Sequence, residues 1–573
     1  MYLRETKRRN ADGSIVRYFQ LAENTWDAAR GCAVAKVVHN FGRADDVDRK
    51  ALRRLAASIL RVCEDPSTRK LDGEDDVTVR DAWPYGGVYV LEQLWREVGV
   101  DKVLARCAKK RETKQPFERA LFAMVANRAL QPYSKLYCWE QWLRAEVFLP
   151  DARNVGLQHL YRAMDFLEAN KVEVEKAVYF AMADLMNADV DLIFYDTTSL
   201  HFEIDEEDED AEASDREAPA LRKRGYSKNG RGDAPQIVIG LAVTRDGLPV
   251  RSWVFPGNQA DVKTVEGVKN DLRGWRLGRC VFVGDAGMNS EENRRSLSLG
   301  GGKYILAARM RAGDEVTKDV LARPGRYHPV ADNLRVKEVI VGDGEGRRRY
   351  VVCHNPLEEK RQREHRARLV RELRAELADA PAKADTQRGR ALLTSSRVGK
   401  YLRLDRGWLR IDRAAITEAS RYDGKWVVTS NDDTLTPDDL ALGYKQLLRV
   451  ETCWRQLKSG LRMRPVFHRL AERIQAHVTI SVLALLLERI AEIRAQDTWR
   501  NVAAKLAAIK VVEYERGGAR IQQTTALGPD VTALLKKLGV KPPPPLHALA
   551  AASQTTSTPS SPPNAESDAT SSP

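Results

Sequence analysis

The sequence predicts an α/β protein: a mixed sheet core carrying an inserted β-rich subdomain, preceded by a mainly helical N-terminal region. Three observations predict it. Apolar strand-like runs alternate with helix-period runs between residues 186 and 310, strand-like pieces surround one highly charged helix between 311 and 438, and apolar residues recur at helical spacing from Val88 to about Leu185. At 573 residues the chain is too long for one core, and at about 150 residues per domain it divides into about three or four units.

Residues 1–50 are expected to form an N-terminal β-hairpin region, because YLRETKRR and SIVRYFQL flank Asp12-Gly13, a favoured turn dipeptide. Residues 51–185 read as helical, with VYVLEQLWREVGVDKVL and FERALFAMVANRAL as the patterns and Lys109, Lys110 and Arg111 between them. Residues 186–310 open the sheet core. There IFYDTTSLHF runs as an apolar strand that ends by delivering a carboxylate, Asp196. An acidic stretch, Asp205 to Glu217, gives way to the basic LRKRGYSKNGR, which reads as a solvated loop. Two strands follow around an Asp246-Gly247 turn, then the helix DVKTVEGVKNDLRGW and the strand RCVFVGDAGM, which ends in Asp285. The helix NSEENRRSLS and the strand KYILAAR complete the block.

Residues 311–438 read as an inserted subdomain with strands VKEVIVG, RRRYVVCH and KWVVTS around the helix EEKRQREHRARLVRELRAEL. Residues 439–510 carry one long amphipathic helix, GYKQLLRVETCWRQLKSGL, and a more apolar one, RIQAHVTISVLALLLERIAEI, expected in the core. A small C-terminal segment occupies 511–545. The tail, 546–573, has too few large apolar residues to offset its ordering entropy and is expected to be disordered.

The net charge of +13 makes a polyanion the leading partner class, since excess Lys and Arg gain affinity through counterion release. Solubility or attraction to anionic lipid leaves the same charge balance open to other readings. The helical 51–185 region is the expected DNA-binding part, although a cluster such as Lys109–Arg111 also suits a solvated loop. Seven cysteines without a C-x-x-C pair argue against a zinc module and a secreted disulfide framework, and fit a reducing cytoplasm. The N-terminus lacks an apolar core, and the apolar run Val478 to Leu487 falls short of the roughly 18–20 residues of a membrane span, so no membrane partner is expected.

An Asp after a strand is most simply a turn or cap residue. Asp285 repeats the arrangement of Asp196, however, and neighbouring strands would place both carboxylates at one rim. A third acid, Glu451, lies on a helix where Tyr444, Glu451 and Lys458 are each seven positions apart, a drift of about 20° per step. They share one face, as the residues of an exposed charged stripe also do. Trp454 on the same helix is expected in the core. The glycines of SLGGGKY lack the P-loop pattern, and nothing suggests ATP use.

In FYDTTS, VGDAG and YKQLLRVETCWRQLK, taken in that order, the chain resembles the DDE transposases of bacterial insertion sequences. These have an RNase H-like core, and in one group a Y-x-x-R-x-x-x-E-x-x-x-x-x-x-K signature surrounds the third acid. The resemblance runs from about Asp191 to Leu487 and includes the insertion between the second and third acids. It implies that Asp196, Asp285 and Glu451 are catalytic and hold Mg²⁺ or Mn²⁺, two ions about 4 Å apart. Without cations three gathered carboxylates would repel and partly protonate. It implies phosphate contacts for Tyr444 and Lys458, cleavage of double-stranded DNA at the element's inverted repeats, joining to target DNA, and a homodimer on paired ends. A catalytically silent DNA-binding repressor and a metal-dependent nuclease without strand transfer are the alternatives.

Leu447 stands where the signature has arginine. Arg455, four residues after Glu451 and about 40° from it around a helix, is the expected DNA-binding replacement, whereas Arg449 at about 200° should face away. An i, i+4 pair with Glu451 is the simpler role for Arg455.

Overall fold

The computed structural model describes residues 2–9, 15–27, 32–44, 77–186, 192–209, 220–228, 230–275, 280–311, 315–516 and 519–551, with 47, 50, 52 and 54. The Asp12-Gly13 turn, the acidic stretch from 210 to 217 and the tail beyond 551 lie outside the described residues. The chain forms two compact units: Met1–Asp81 with Val512–Gln523 and Leu546–Pro573, and Ala82–Val511 with Thr524–Pro545.

In the first unit, β1 (Tyr2–Arg9) and β2 (Ile15–Asp27) pair antiparallel from Arg9 opposite Ile15 outward. A third strand, β3 (Cys32–Arg43), adds to β2. The hairpin reading stops one strand short, because CAVAKVVHNFGR is not bounded by the turn dipeptide that marks the first pair. Strand β4 (Thr78–Pro84) lies within a stretch read as helical. Its TVRDAWP has Val, Thr and Trp, which suit a sheet edge better than a helix.

The second unit begins with helices α1 (Gly86–Glu97), α2 (Val100–Lys110), α3 (Phe117–Leu130), α4 (Leu157–Ala169) and α5 (Lys171–Met186). Lys110, at the end of α2, pairs with Glu173 of α5 at 3.0 Å. The sheet follows: β5 (Leu192–His201), β6 (Gln236–Val243) and β7 (Pro249–Pro256), with the Asp246-Gly247 turn between the last two. Gly247 has φ +75°, a conformation that favours glycine. Helix α6 (Val265–Arg273), β8 (Val281–Gly284), α7 (Glu291–Ser298) and β9 (Lys303–Ala308) complete this block.

The insertion is not a separate β subdomain. Strands β10 (His328–Ala331), β11 (Leu334–Val341) and β12 (Arg348–His354) extend the same sheet. Helix α8 (Pro356–Asp379) and the hairpin β13 (Leu402–Asp405) and β14 (Trp408–Ile411) then form a satellite with its own small core around Val370, Leu373, Tyr401 and Leu409. The chain returns as β15 (Lys425–Ser430), which lies between β12 and β9. The full order is β10-β11-β12-β15-β9-β8-β5-β6-β7. VKEVIVG, RRRYVVCH and KWVVTS look like a local sheet in sequence, but Val351, Val352, Val427 and Val428 are fully buried and need covering on both faces.

The amphipathic segment is not one helix either. α9 (Pro437–Lys445) and α10 (Leu448–Arg455) are separated by a turn in which Gln446 and Leu447 donate to the carbonyls of Gly443 and Tyr444, three residues back. This tighter winding turns Leu447 into the core, where it is buried. The end, Gln456–Gly460, is wound as a π-helix.

Helix α11 (Ala471–Ala495) packs against α3, α4 and β7. It is long and apolar enough to cross a membrane, contrary to the count over Val478 to Leu487, yet 89% of its most apolar window is buried inside the protein. It is the central core helix, and one hydrophobic core runs from Val88 of α1 through Phe194 and Val283 of the sheet to Ile480 and Leu485 of α11. The helices before residue 186 are therefore part of that same core.

Strands β16 (Lys510–Arg516), β17 (Ala519–Thr524) and β18 (Leu546–Ala551) form a sheet with β4 in the order β18-β17-β16-β4. LHALAA, expected in the disordered tail, is thus a strand: an edge strand is held by its backbone ladder, which needs no large side chains.

A fragment ending at residue 186 lacks α11 and the sheet, and the apolar faces of α3 and α4 lose their cover. We expect it to melt without a cooperative transition by circular dichroism, whereas the full chain melts cooperatively; a sharp transition in the fragment would show that the helices close a core unaided.

Candidate active site

Three fully or nearly fully buried residues, Ile193, Phe194 and Val283, hold two parallel strands together. Leu192, Ile193 and Phe194 of β5 pair with Val281, Phe282 and Val283 of β8. Carried two residues further, this register sets Asp196 beside Asp285. The two acids are not placed alike, however. Asp285 follows the last residue of β8, whereas Asp196 lies in the middle of β5, which continues to His201 paired with β6. The strand does not end at Asp196, because Thr197, Thr198 and Ser199 are buried and stay in the ladder opposite Gly240, Ile239 and Val238.

Each carboxylate commits one oxygen to nearby backbone. Asp196 Oδ1 accepts from Thr197 N at 2.7 Å, and Asp285 Oδ1 accepts from Gly287 N at 2.9 Å and Met288 N at 3.2 Å. The turn role of Asp285 and its availability are compatible, since Oδ2 of each acid has no hydrogen bond or ion pair among the described residues. Burial lifts the Asp196 carboxyl to about 6; Lys228 opposes the rise, and Asp285 and Asp261 add to it. Two free hard oxygens on adjacent strands suit a divalent cation. Among the described residues no three His, Cys, Asp or Glu side chains form a ready metal cluster. The pair fits such an ion, and Glu451 stands apart from it, exposed on α10.

Helix α10 packs on β5 and β6. The Tyr444 hydroxyl is held well above its ordinary value by burial first, then by Asp285, Glu451 and Asp196, so it lies within electrostatic reach of all three acids. Lys458 is half-buried, and its ammonium is pulled down by burial and by Arg464 and Lys228, with Asp196 opposing. Tyr444 and Lys458 therefore surround the acids although the helix between them is broken. Arg455 is exposed, and no ion pair joins it to Glu451 among the described residues. Arg449 faces the other way: its Cβ approaches Gly247 at the β6–β7 turn. Trp454 is buried in the core, as expected.

Two site residues carry no signal in the sequence. Lys228, in the basic loop read as solvated, reaches Asp261 Oδ2 at 2.9 Å and donates to the carbonyl and Oγ1 of Thr197, both at 2.8 Å. Thr197 Oγ1 in turn donates to Asp261 Oδ1 at 2.6 Å. This triad fixes the strand residue next to Asp196 and sets a cation beside it. Only the tertiary fold brings residues 228 and 261 to β5, so no spacing rule marks them.

Residues 200–487 match the transposase DDE domain, and residues 3–70 match the N-terminal domain of IS1634 family transposases. The chain belongs to the DDE transposases. The matched region contains Asp285 and Glu451 and begins four residues after Asp196. No curated protein matches the transposase. Among solved structures, one described as the cryo-EM structure of a piggyBac transposase synaptic complex with hairpin DNA matches 74% of this chain and 78% of that one, with 11% identity and a TM-score of 0.33. Members of the DDE transposase family act on DNA as polynucleotidyl transferases and normally use divalent metal ions.

The raised Asp196 value has a stability consequence. An unfolded Asp titrates near 3.9, so the folded transposase binds this proton more tightly, and the contribution is fully present below about pH 4 and lost as pH rises through about 6. In metal-free buffer at pH 8, Asp196→Asn should be more stable than wild type by on the order of 2 kcal/mol, with no difference at pH 4. Denaturant midpoints at the two pH values measure it; an equal gap at both would assign the effect to something other than ionisation.

Proposed function

We propose that this transposase cleaves double-stranded DNA at the terminal inverted repeats of its element and joins the freed 3′-hydroxyls to target DNA, on an RNase H-like core, as a dimer bound to paired ends. The observation that carries the reading is the pair Asp196 and Asp285, on adjacent parallel strands, each with an oxygen that has no hydrogen bond or ion pair among the described residues. In it, Asp196, Asp285 and Glu451 hold two Mg²⁺ or Mn²⁺ ions. Bound there, the ions supply Lewis-acid stabilisation of the attacking and leaving oxygens at phosphorus.

The chain's own residues do the rest. β5 and β8 hold two ligands on rigid elements, which keeps their separation precise enough for in-line displacement. Lys458, Lys228 and Tyr444 orient the scissile strand through its phosphates and carry no sequence information. Burial on the sheet keeps bulk water from the Asp196 side of the centre. Arg455, exposed four residues after Glu451, takes the phosphate contact that Leu447 cannot make from the core. The metal-dependent nuclease reading shares these ligands and differs only at the joining step; a silent repressor would have no use for a half-buried acid whose charge is costly.

Asp196→Ala, Asp285→Ala and Glu451→Ala should each reduce Mg²⁺-dependent cutting of an element-end duplex by on the order of 10³-fold or more, while leaving duplex binding within a few-fold. Near-normal cutting by any one of them would remove that residue from the set. Supplying pre-cut ends and scoring strand transfer separates transposition from simple cleavage.

The two arginines make a second comparison. Arg455→Ala should lower end binding and strand transfer by about tenfold, the worth of one charge-assisted contact, with Arg449→Ala close to wild type. Loss of transfer in the Arg449 variant alone would show that the facing argument for α10 is wrong.

A further inference from the structure

A cavity of about 680 Å³ opens between the α3 C-terminus with the segment after it and residues 461–468. Its walls are cationic. Arg128 and Lys135 line it from within, both more than nine-tenths buried, and Arg462 and Arg464 stand at its rim. Among the described residues no carboxylate lines it. The nearest acids are engaged elsewhere: Asp165 with Arg473 at 2.8 and 3.0 Å, and Glu146 with the Tyr137 hydroxyl at 2.6 Å and Gln131 at 2.8 Å.

Buried cations normally pair with an acid, because removing a charge from water without compensation is expensive. Here they have only weak neutral partners. Lys135 Nζ has one hydrogen bond among the described residues, to His477 Nδ1 at 3.4 Å; the His477 Nε2–H donates to the Met463 carbonyl at 3.0 Å, so Nδ1 is the accepting nitrogen. Two of the three ammonium donors are left over. Arg128 spends its terminal nitrogens on the carbonyls of Leu461, Arg462 and Tyr133, and its Nε is buried without a partner among the described residues.

We propose that this cavity is an anion site that takes a backbone phosphate of the DNA strand running to the Asp196–Asp285 centre. The inference rests on the function proposed above and adds a site to it. Two features select a nucleic acid strand over a free anion. First, the cations are continuous with the acid centre: Arg464 meets His201, the last residue of β5, at 3.3 Å, and Arg464, Lys228 and Asp196 all act on the charge of Lys458. Five residue steps along β5 separate Asp196 from His201, about 17 Å at about 3.3 Å each, the span of about five phosphates in B-form DNA. Second, the mouth is aromatic, with the Phe467 ring 72% exposed and Tyr133 46% exposed, which offers ring faces to the sugar and base attached to a bound phosphate. Burial also pulls both inner cations down, Arg128 to about 10, and Arg128 adds to the effect on Lys135; a phosphate would reverse it.

The test uses the full chain with Lys135→Met, which keeps the length of the side chain and removes the charge, and Arg462→Gln at the exposed rim in case the buried variant fails to fold. At constant ionic strength, inorganic phosphate in place of chloride should raise the melting temperature of wild type but not of Lys135→Met. The same variant should bind a labelled element-end duplex about tenfold more weakly, and Arg462→Gln a few-fold more weakly. Equal phosphate shifts in wild type and Lys135→Met, or wild-type duplex affinity in both variants, would overturn the site. Displacement of phosphate by dAMP but not by the duplex would overturn the strand as its ligand. Wild-type protein that cuts the duplex but shows no phosphate shift sinks this site alone; a Lys135-dependent shift in protein that never cuts sinks the proposed function and leaves an anion site.

Discussion

The parallel pairing of β5 with β8 is the constraint on which the rest of the site depends. Three cross-strand pairs of large apolar residues fix the register, and that register delivers two carboxylates to neighbouring positions, where Asp285 raises the cost of ionising Asp196. A loop could not hold such a pair, since repulsion would spread it; the sheet can, because moving either acid means unpairing Phe194 or Val283, both fully buried. The surrounding chemistry follows from that choice. Lys228, Lys458 and Tyr444 converge on these carboxylates, and the Thr197–Asp261–Lys228 triad anchors the strand at the adjoining residue.

The third acid is held differently. Glu451 rides on α10, a helix of 8 residues bounded by the Gln446-Leu447 turn on one side and a π-wound segment on the other. A straight helix would have kept Tyr444, Glu451 and Lys458 on one stripe by phase alone. The observed breaks achieve a similar grouping by another route, and they do so while turning Leu447, Val450, Cys453 and Leu457 into the core. The helix is shaped by its apolar side, and the polar residues take the positions that remain.

The sequence makes some of this legible and hides the rest for identifiable reasons. Asp196 and Asp285 stand out because each follows an apolar run whose length suits a buried strand, and local pattern is enough to see that. The Asp246-Gly247 turn, the helix α7 and the apolar α11 are visible on the same footing. Hidden features depend on partners distant in the chain. KWVVTS reads identically whether it pairs within the insertion or with β9, and only the buried faces of Val427 and Val428 decide the matter. Lys228 lies in a segment of alternating charge that looks solvated until Asp261, 33 positions on, is placed against it. The continuation of β5 past Asp196 is hidden too, because hydroxyl residues mark loops as often as strands.

The insertion's return path bears on how such proteins vary in size. His354, the last residue of β12, sits directly across from Lys425, the first of β15, and Asn355 N donates to the Gly424 carbonyl at 2.7 Å. From the sheet's side, everything from 355 to 424 is the connection of a single hairpin, a role that turns of about two residues fill elsewhere. Its satellite core has grown at a loop tip, where added chain least disturbs the ladder beneath it. Relatives could therefore gain, lose or exchange this whole segment in one step, with the strands that carry the acids left in register.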